Sequence, residues 1–293
     1  MVSGQELAHW REESRKQALA LSISPQEVDW LLEALAGLSP LRLYLETYKN
    51  DSEIPLRVSF SELKERWEKR LQERVPVQYL AGETPWRDLS LQVSPGVLIP
   101  RPETEMIVEL ALNYAREEFR QGHWVDLGTG SGAIALALAQ ALPEATIHAV
   151  DNSPDALAIA QQNAQKLGLA SNIQFYQGSW FVPLTHLQGK IGVMVSNPPY
   201  VPTATLEKLQ PEVAKHEPRL ALDGGDDGLV AIRHLIETAP QFLQRGGLWL
   251  TEMGAGQARA VEQLLRDNGN YHNIAIKKDL AGIERFALAE ITS

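Results

Sequence analysis

The rhythm of apolar positions changes twice along this chain. In the first part apolar residues recur three or four positions apart, Val28, Leu31, Leu32 and Leu35 and later Leu63, Trp67 and Leu71, the spacing that lines one side of an α-helix. Start signals stand ahead of them: Ser24-Pro25 with Glu27 as a capping-box partner, Ser39-Pro40, and Ser59 with Glu62, while Gly37 closes the first helix. Between 86 and 99 the period falls to two, with Leu89, Leu91 and Val93 on one face and Ser94-Pro95-Gly96 as the turn, which predicts a β-hairpin. Beyond 103, apolar runs at 123–127, 145–150, 173–176, 191–195, 247–252, 272–277 and 285–289 alternate with helical stretches such as 133–142, 154–167 and 229–243. Such alternation predicts an α/β fold, a mostly parallel seven-stranded sheet covered by helices. The last two runs are joined by a short link and are expected to pair antiparallel. The division that follows is a helical domain at 1–84, a β-hairpin linker at 85–102 and an α/β domain at 103–293.

Composition narrows the classes. The chain has 293 residues, 44% of them hydrophobic, enough for two cores. No apolar run approaches the roughly 18 residues of a membrane span, and the segment from Gln5 to Lys16 is too polar for a signal sequence, so a cytoplasmic location is expected. There is no cysteine and the seven histidines are scattered, so neither disulfides nor a metal site is expected. A formal net charge of −10 disfavours a nucleic-acid partner, whose phosphates dominate such binding. A monomer acting on another protein is the expectation.

Two stretches carry candidate chemistry. After the run 191–195 comes Ser196-Asn197-Pro198-Pro199-Tyr200, where two prolines end the strand. Residues before proline are held extended, so Asn197 and Pro198 are stiff, and Pro199 keeps them so. The Asn197 amide oxygen and the Pro198 carbonyl then form two fixed acceptors beside the Tyr200 ring, a clamp for a planar NH2 group. The plain alternative is a strand end followed by a core tyrosine. Upstream, Asp126-Leu127-Gly128-Thr129-Gly130-Ser131-Gly132 joins a strand to a helix, and the next strand ends in Asp151, where nucleotide-binding folds place a carboxylate on ribose hydroxyls. Gly128, Gly130 and Ala133 also meet the loose dinucleotide pattern, so a nicotinamide cofactor is the competing reading. Asp126 bears on the choice, because a carboxylate there repels a pyrophosphate and suits a cationic amino group.

Together these stretches resemble the S-adenosylmethionine-dependent amino methyltransferases. Pro76-Val77-Gln78-Tyr79-Leu80-Ala81-Gly82, the segment from Val93 to Glu105 containing Pro100-Arg101-Pro102-Glu103, and Glu217-Pro218-Arg219-Leu220-Ala221-Leu222 are similar to the PrmC/HemK family. That resemblance implies a class I methyltransferase fold, Rossmann-like, and a reaction in which S-adenosylmethionine yields its methyl group to the glutamine side-chain nitrogen of the Gly-Gly-Gln motif in class 1 peptide chain release factors, leaving S-adenosylhomocysteine. It implies that Asp126, Gly128, Thr129, Gly130, Ser131, Gly132, Asp151, Ser179, Trp180 and Asn197 hold the cofactor, that Asn197, Pro198, Pro199 and Tyr200 hold the reacting amide, that Arg101 and Glu103 lie near the substrate, and that the helical domain docks it. Ser179 departs from the Asp common in the family, and a hydroxyl accepts an adenine amino group more weakly than a carboxylate. Closure over the site is assigned to 217–227. The alternatives are a glutamine methyltransferase of a ribosomal protein, an amino methyltransferase of nucleic-acid bases, and a non-catalytic cofactor-binding adaptor, in which nothing would require Asn197, Pro198 and Tyr200 together.

Overall fold

The computed structural model describes residues 1–292, and these divide into two compact units, Met1–Thr84 with Gln210–His216, and Pro85–Leu209 with Glu217–Ser293.

The first unit is helical, with helices at Gly4–Ala20, Gln26–Ala36, Pro40–Tyr44, Phe60–Glu73, Val77–Ala81 and Pro211–His216. Val28, Leu31, Leu32, Leu35, Leu63 and Trp67 are buried together with Leu7, and Leu71 packs half-buried against them. Ser39 and Ser59 cap their helices by accepting from the N–H of Arg42 and Glu62. Ser24 does not: its hydroxyl donates to the Gln26 side chain at 2.5 Å, and Glu27 instead holds Arg70 at 2.5 and 3.0 Å. The cause is Arg70 itself, whose side chain is only 4% exposed; a buried guanidinium demands carboxylates. It takes a second one, Glu212, at 2.9 Å, so the stretch 210–216, expected within the α/β domain, belongs to this unit.

A short hairpin, β1 (Glu83–Trp86), whose first two residues end the first unit, and β2 (Leu89–Gln92), precedes the main sheet. Leu89, Leu91 and Val93 are buried as expected. The reversal lies elsewhere than expected, at Arg87-Asp88, where Arg87 takes the left-handed conformation at φ 53°, whereas Ser94 to Val97 form a turn after β2, closed by the Val97 N–H to Ser94 carbonyl bond. A two-residue reversal keeps the strands twisted together. Asn163, fully buried, holds the hairpin: its side chain bonds both backbone groups of Gln92 and also the Ser131 carbonyl.

The sheet contains β3 (His123–Leu127), β4 (Thr146–Asp151), β5 (Ile173–Gln177), β6 (Ile191–Ser196), β7 (Leu243–Glu252), β8 (Tyr271–Lys278) and β9 (Glu284–Ile291), in the order β5-β4-β3-β6-β7-β9-β8. All neighbours are parallel except β9, antiparallel to both β7 and β8. The α/β expectation holds. The strands read as nearly unbroken apolar runs because helices cover both faces: Trp124, Val193 and Val195 enter one core, and Val125, Leu127 and Met194 the other. The chain winds outward from β3 in one direction and from β6 in the other, so a crevice opens past their carboxyl ends. Leu127 lies beside both Val150 and Ser196, which brings the residues that follow these strands to one edge. Among the described residues no helix is long and apolar enough to cross a membrane.

Candidate active site

At that edge lies a cavity of about 920 Å³. Its floor is the loop after β3. The N–H groups of Gly128 and Thr129 both donate to the Val150 carbonyl, at 2.9 and 3.0 Å, and that of Gly130 donates to Asp151 Oδ2 at 2.8 Å. These three donors are engaged within the protein and so are not offered to a pyrophosphate, which counts against the dinucleotide reading. Gly128 has φ +77°, a left-handed backbone that favours glycine, and a Cβ there would stand 3.6 Å from the Trp180 ring and 4.0 Å from the Asn197 carbonyl, in ordinary contact.

Two carboxylates serve this loop differently. Asp126 is fully buried; its Oδ2 accepts from the Thr129 hydroxyl at 2.7 Å and the Ala135 N–H at 3.2 Å, while its Oδ1 is buried without a partner. Burial pushes its carboxyl up to about 7 against those two hydrogen bonds. Asp151 also accepts from Ser153 N–H at 2.9 Å; burial raises its carboxyl and the Ser153 and Gly130 bonds oppose the rise.

The second half of the site follows β6. Asn197 Nδ2 donates to Thr104 Oγ1 at 3.1 Å, Thr104 donates to Glu252 Oε2 at 2.7 Å, and the Tyr200 hydroxyl donates to Glu252 Oε1 at 3.0 Å. Glu252 ends β7 and is 1% exposed; burial raises its carboxyl while the Thr104 and Tyr200 hydroxyls oppose the rise. Burial likewise pushes the Tyr200 phenol up.

Of the residues picked from sequence, Gly128, Thr129, Gly130, Ser131, Asp151, Ser179, Trp180, Asn197 and Pro199 line the cavity. Asp126, Gly132, Pro198 and Tyr200 are not among the residues that line it. Arg101 and Glu103 are also outside it: Arg101 bonds Glu217 at 2.6 Å and the Ile99 carbonyl at 3.1 Å, and Glu103 is exposed. The Arg101 pair ties the segment after the hairpin to 217–227, from which Pro218, Leu220, Ala221 and Asp223 reach the cavity. Sequence reasoning missed Thr104, Glu252 and Asn163, and the wall formed by Pro95, Gly96, Val97 and Leu98. For Thr104 and the wall the only signal was their place in the Val93 to Glu105 stretch; Glu252 and Asn163 carry none.

A glycine loop at the switch point of this sheet and a carboxylate at the end of the adjoining strand suit a methyltransferase, and residues 119–282 match the methyltransferase domain family. The ribosomal protein L11 methylase of Lactobacillus delbrueckii subsp. bulgaricus shares the fold, with a TM-score of 0.50 at 19% identity, covering 69% of this chain and 86% of that one. The relatives are more specific. A release factor glutamine methyltransferase of Synechocystis is 49% identical over 295 residues, covering 100% of this chain and 98% of its own, and one of Thermosynechococcus vestitus is 49% identical over 265 residues, 90% of each. The chain belongs to the release factor glutamine methyltransferase family.

Proposed function

We propose that this protein methylates the side-chain nitrogen of the glutamine in the Gly-Gly-Gln motif of class 1 release factors, with S-adenosylmethionine as donor. The observation that carries the reading is that Asn197 lines the same cavity as the glycine loop and Asp151, its carbonyl close to Gly128, so a group held by Asn197 adjoins whatever the loop holds. The residues fit this donor. Asp151 faces a ribose, Trp180 and Ser179 line the space for an adenine, and the unpartnered Oδ1 of Asp126 suits a cationic amino group, which would relieve the cost of burying that oxygen. When bound, the donor supplies an electrophilic methyl group on a sulfonium.

The protein's own part is positional. An amide nitrogen is a weak nucleophile because its lone pair is shared with the carbonyl. Asn197 Oδ1 and the Pro198 carbonyl, accepting its two N–H groups, restrict it to one orientation, and orientation of this kind accounts for several kcal/mol of barrier. As positive charge develops on that nitrogen the same two fixed dipoles stabilise it, and a cavity that excludes water strengthens them. Tyr200, anchored through its hydroxyl, offers its ring beside the clamp. The helical unit docks the protein substrate in this reading.

Incubation with methyl-labelled donor, release factor, ribosomal protein and nucleic acid, followed by mass spectrometry, tests it. Label on the release-factor glutamine is expected; label confined to ribosomal protein or nucleic acid overturns it.

A further inference from the structure

We propose that Thr104 and Glu252 are positioning residues that fix which end of the Asn197 amide faces the reacting nitrogen. The inference rests on the reading of Asn197 as the clamp, and it follows from counting protons. Thr104 has one hydroxyl hydrogen, and Glu252 Oε2 stands 2.7 Å from its oxygen. An ionised carboxylate only accepts, so the hydrogen goes there. Thr104 Oγ1 is left with lone pairs alone, and the group facing it at 3.1 Å must be the Asn197 NH2. A planar amide with its NH2 pinned on one side presents its oxygen on the other, and the oxygen is the end that accepts a substrate N–H.

The other Glu252 oxygen takes the Tyr200 hydroxyl at 3.0 Å. One carboxylate therefore sets both the amide at the start of the Asn-Pro-Pro-Tyr stretch and the ring at its end. Thr104 is 4% and Glu252 1% exposed, so the protein rather than solvent supplies the partners of both. Arg285 and Glu103 are the charged neighbours of Glu252 and act on it with opposite sign. Without an obligate acceptor at 252, Thr104 is free to donate to Asn197 Oδ1 instead, which turns the amide over and places its donor end toward the reacting NH2 group, which has only N–H donors to offer.

The test is single-turnover methyl transfer at saturating cofactor for Thr104→Val, Thr104→Ser and Glu252→Gln, with cofactor affinity measured alongside. Thr104→Val and Glu252→Gln are expected to slow transfer by about 10–10²-fold, the cost of a misoriented reacting group, with cofactor affinity within about twofold of wild type. Thr104→Ser, which keeps the hydroxyl, is expected to restore most of the rate. Adding Thr104→Val to Asn197→Ala should cause no further loss, because the relay acts only through Asn197. Near-normal transfer by both Thr104→Val and Glu252→Gln, or losses that add to that of Asn197→Ala, overturns the relay and leaves the clamp standing. Near-normal transfer by Asn197→Ala overturns both. Glu252→Gln is close to isosteric and carries the test by itself if the valine variant folds poorly.

Discussion

Asp151 accepts the Gly130 N–H at 2.8 Å, so the end of β4 holds the loop that follows β3. Its carboxylate serves that loop and, in the proposed function, the ribose as well. Asp151→Ala is expected to weaken S-adenosylmethionine binding by about 1–3 kcal/mol, roughly 5- to 150-fold. Asp151→Asn, which keeps one acceptor oxygen, should fall between. Calorimetry decides it: unchanged affinity for the alanine variant would remove the ribose assignment.

Gly132 sits at φ +85°, and a Cβ there would lie 3.1 Å from Ala160 Cβ and 3.2 Å from Leu136 Cδ1. It joins the glycine loop to the helix Ala133–Ala141, where a Cβ would be tight against Ala160 and Leu136. Gly132→Ala combines a left-handed penalty with overpacking and should cost about 2–4 kcal/mol. Thermal unfolding would show a midpoint lower by several degrees; an unchanged midpoint would mean that the backbone there relaxes freely.

His148 lies inside β4, 1% exposed, with His123 at 3.0 Å on one ring nitrogen and the Tyr176 hydroxyl at 3.2 Å on the other. Burial, then the neighbouring His123 and His186, depress its value from 6.5 to about 4. The unfolded chain therefore binds a proton below about 6.5 that the folded chain refuses until about 4, so this contribution to stability is full at higher pH and is lost as pH falls across that interval. Burial also lowers His123, in the same direction. Between about pH 7.5 and pH 5 the wild type should lose more thermal stability than His148→Phe. Parallel losses would refute the assignment.

On the helix Pro40–Tyr44, Leu41 is 65% and Tyr44 83% exposed, large apolar groups without a partner in their own unit. If the helical unit docks the release factor, Leu41→Ser with Tyr44→Ser should raise KM for the intact factor about fivefold or more, the effect of about 1 kcal/mol at a protein interface. Cofactor affinity should not change. The comparison is with a short Gly-Gly-Gln peptide, whose KM should also stay constant; an intact factor unaffected by both substitutions would place docking elsewhere.

What the sequence alone determined are properties that depend on neighbours in the chain. Period and punctuation specify local conformation, which is why the strands of the sheet, the antiparallel last pair, the glycine loop and the Pro-Pro break were all legible. Tertiary structure decided the rest. Whether the Glu27 carboxylate completes a capping box depended on Arg70 drawing it away, and whether the hairpin reverses at Arg87 or at Ser94 depended on which strand pairing the core allowed. Asp126 reads as a ligand residue, and only folding shows that one oxygen is left unpartnered while the other braces the loop through the Thr129 hydroxyl. Thr104 and Glu252 are 148 positions apart, and nothing near Glu252 marks it, because a buried carboxylate acquires its role only from the hydroxyls that folding brings to its two oxygens.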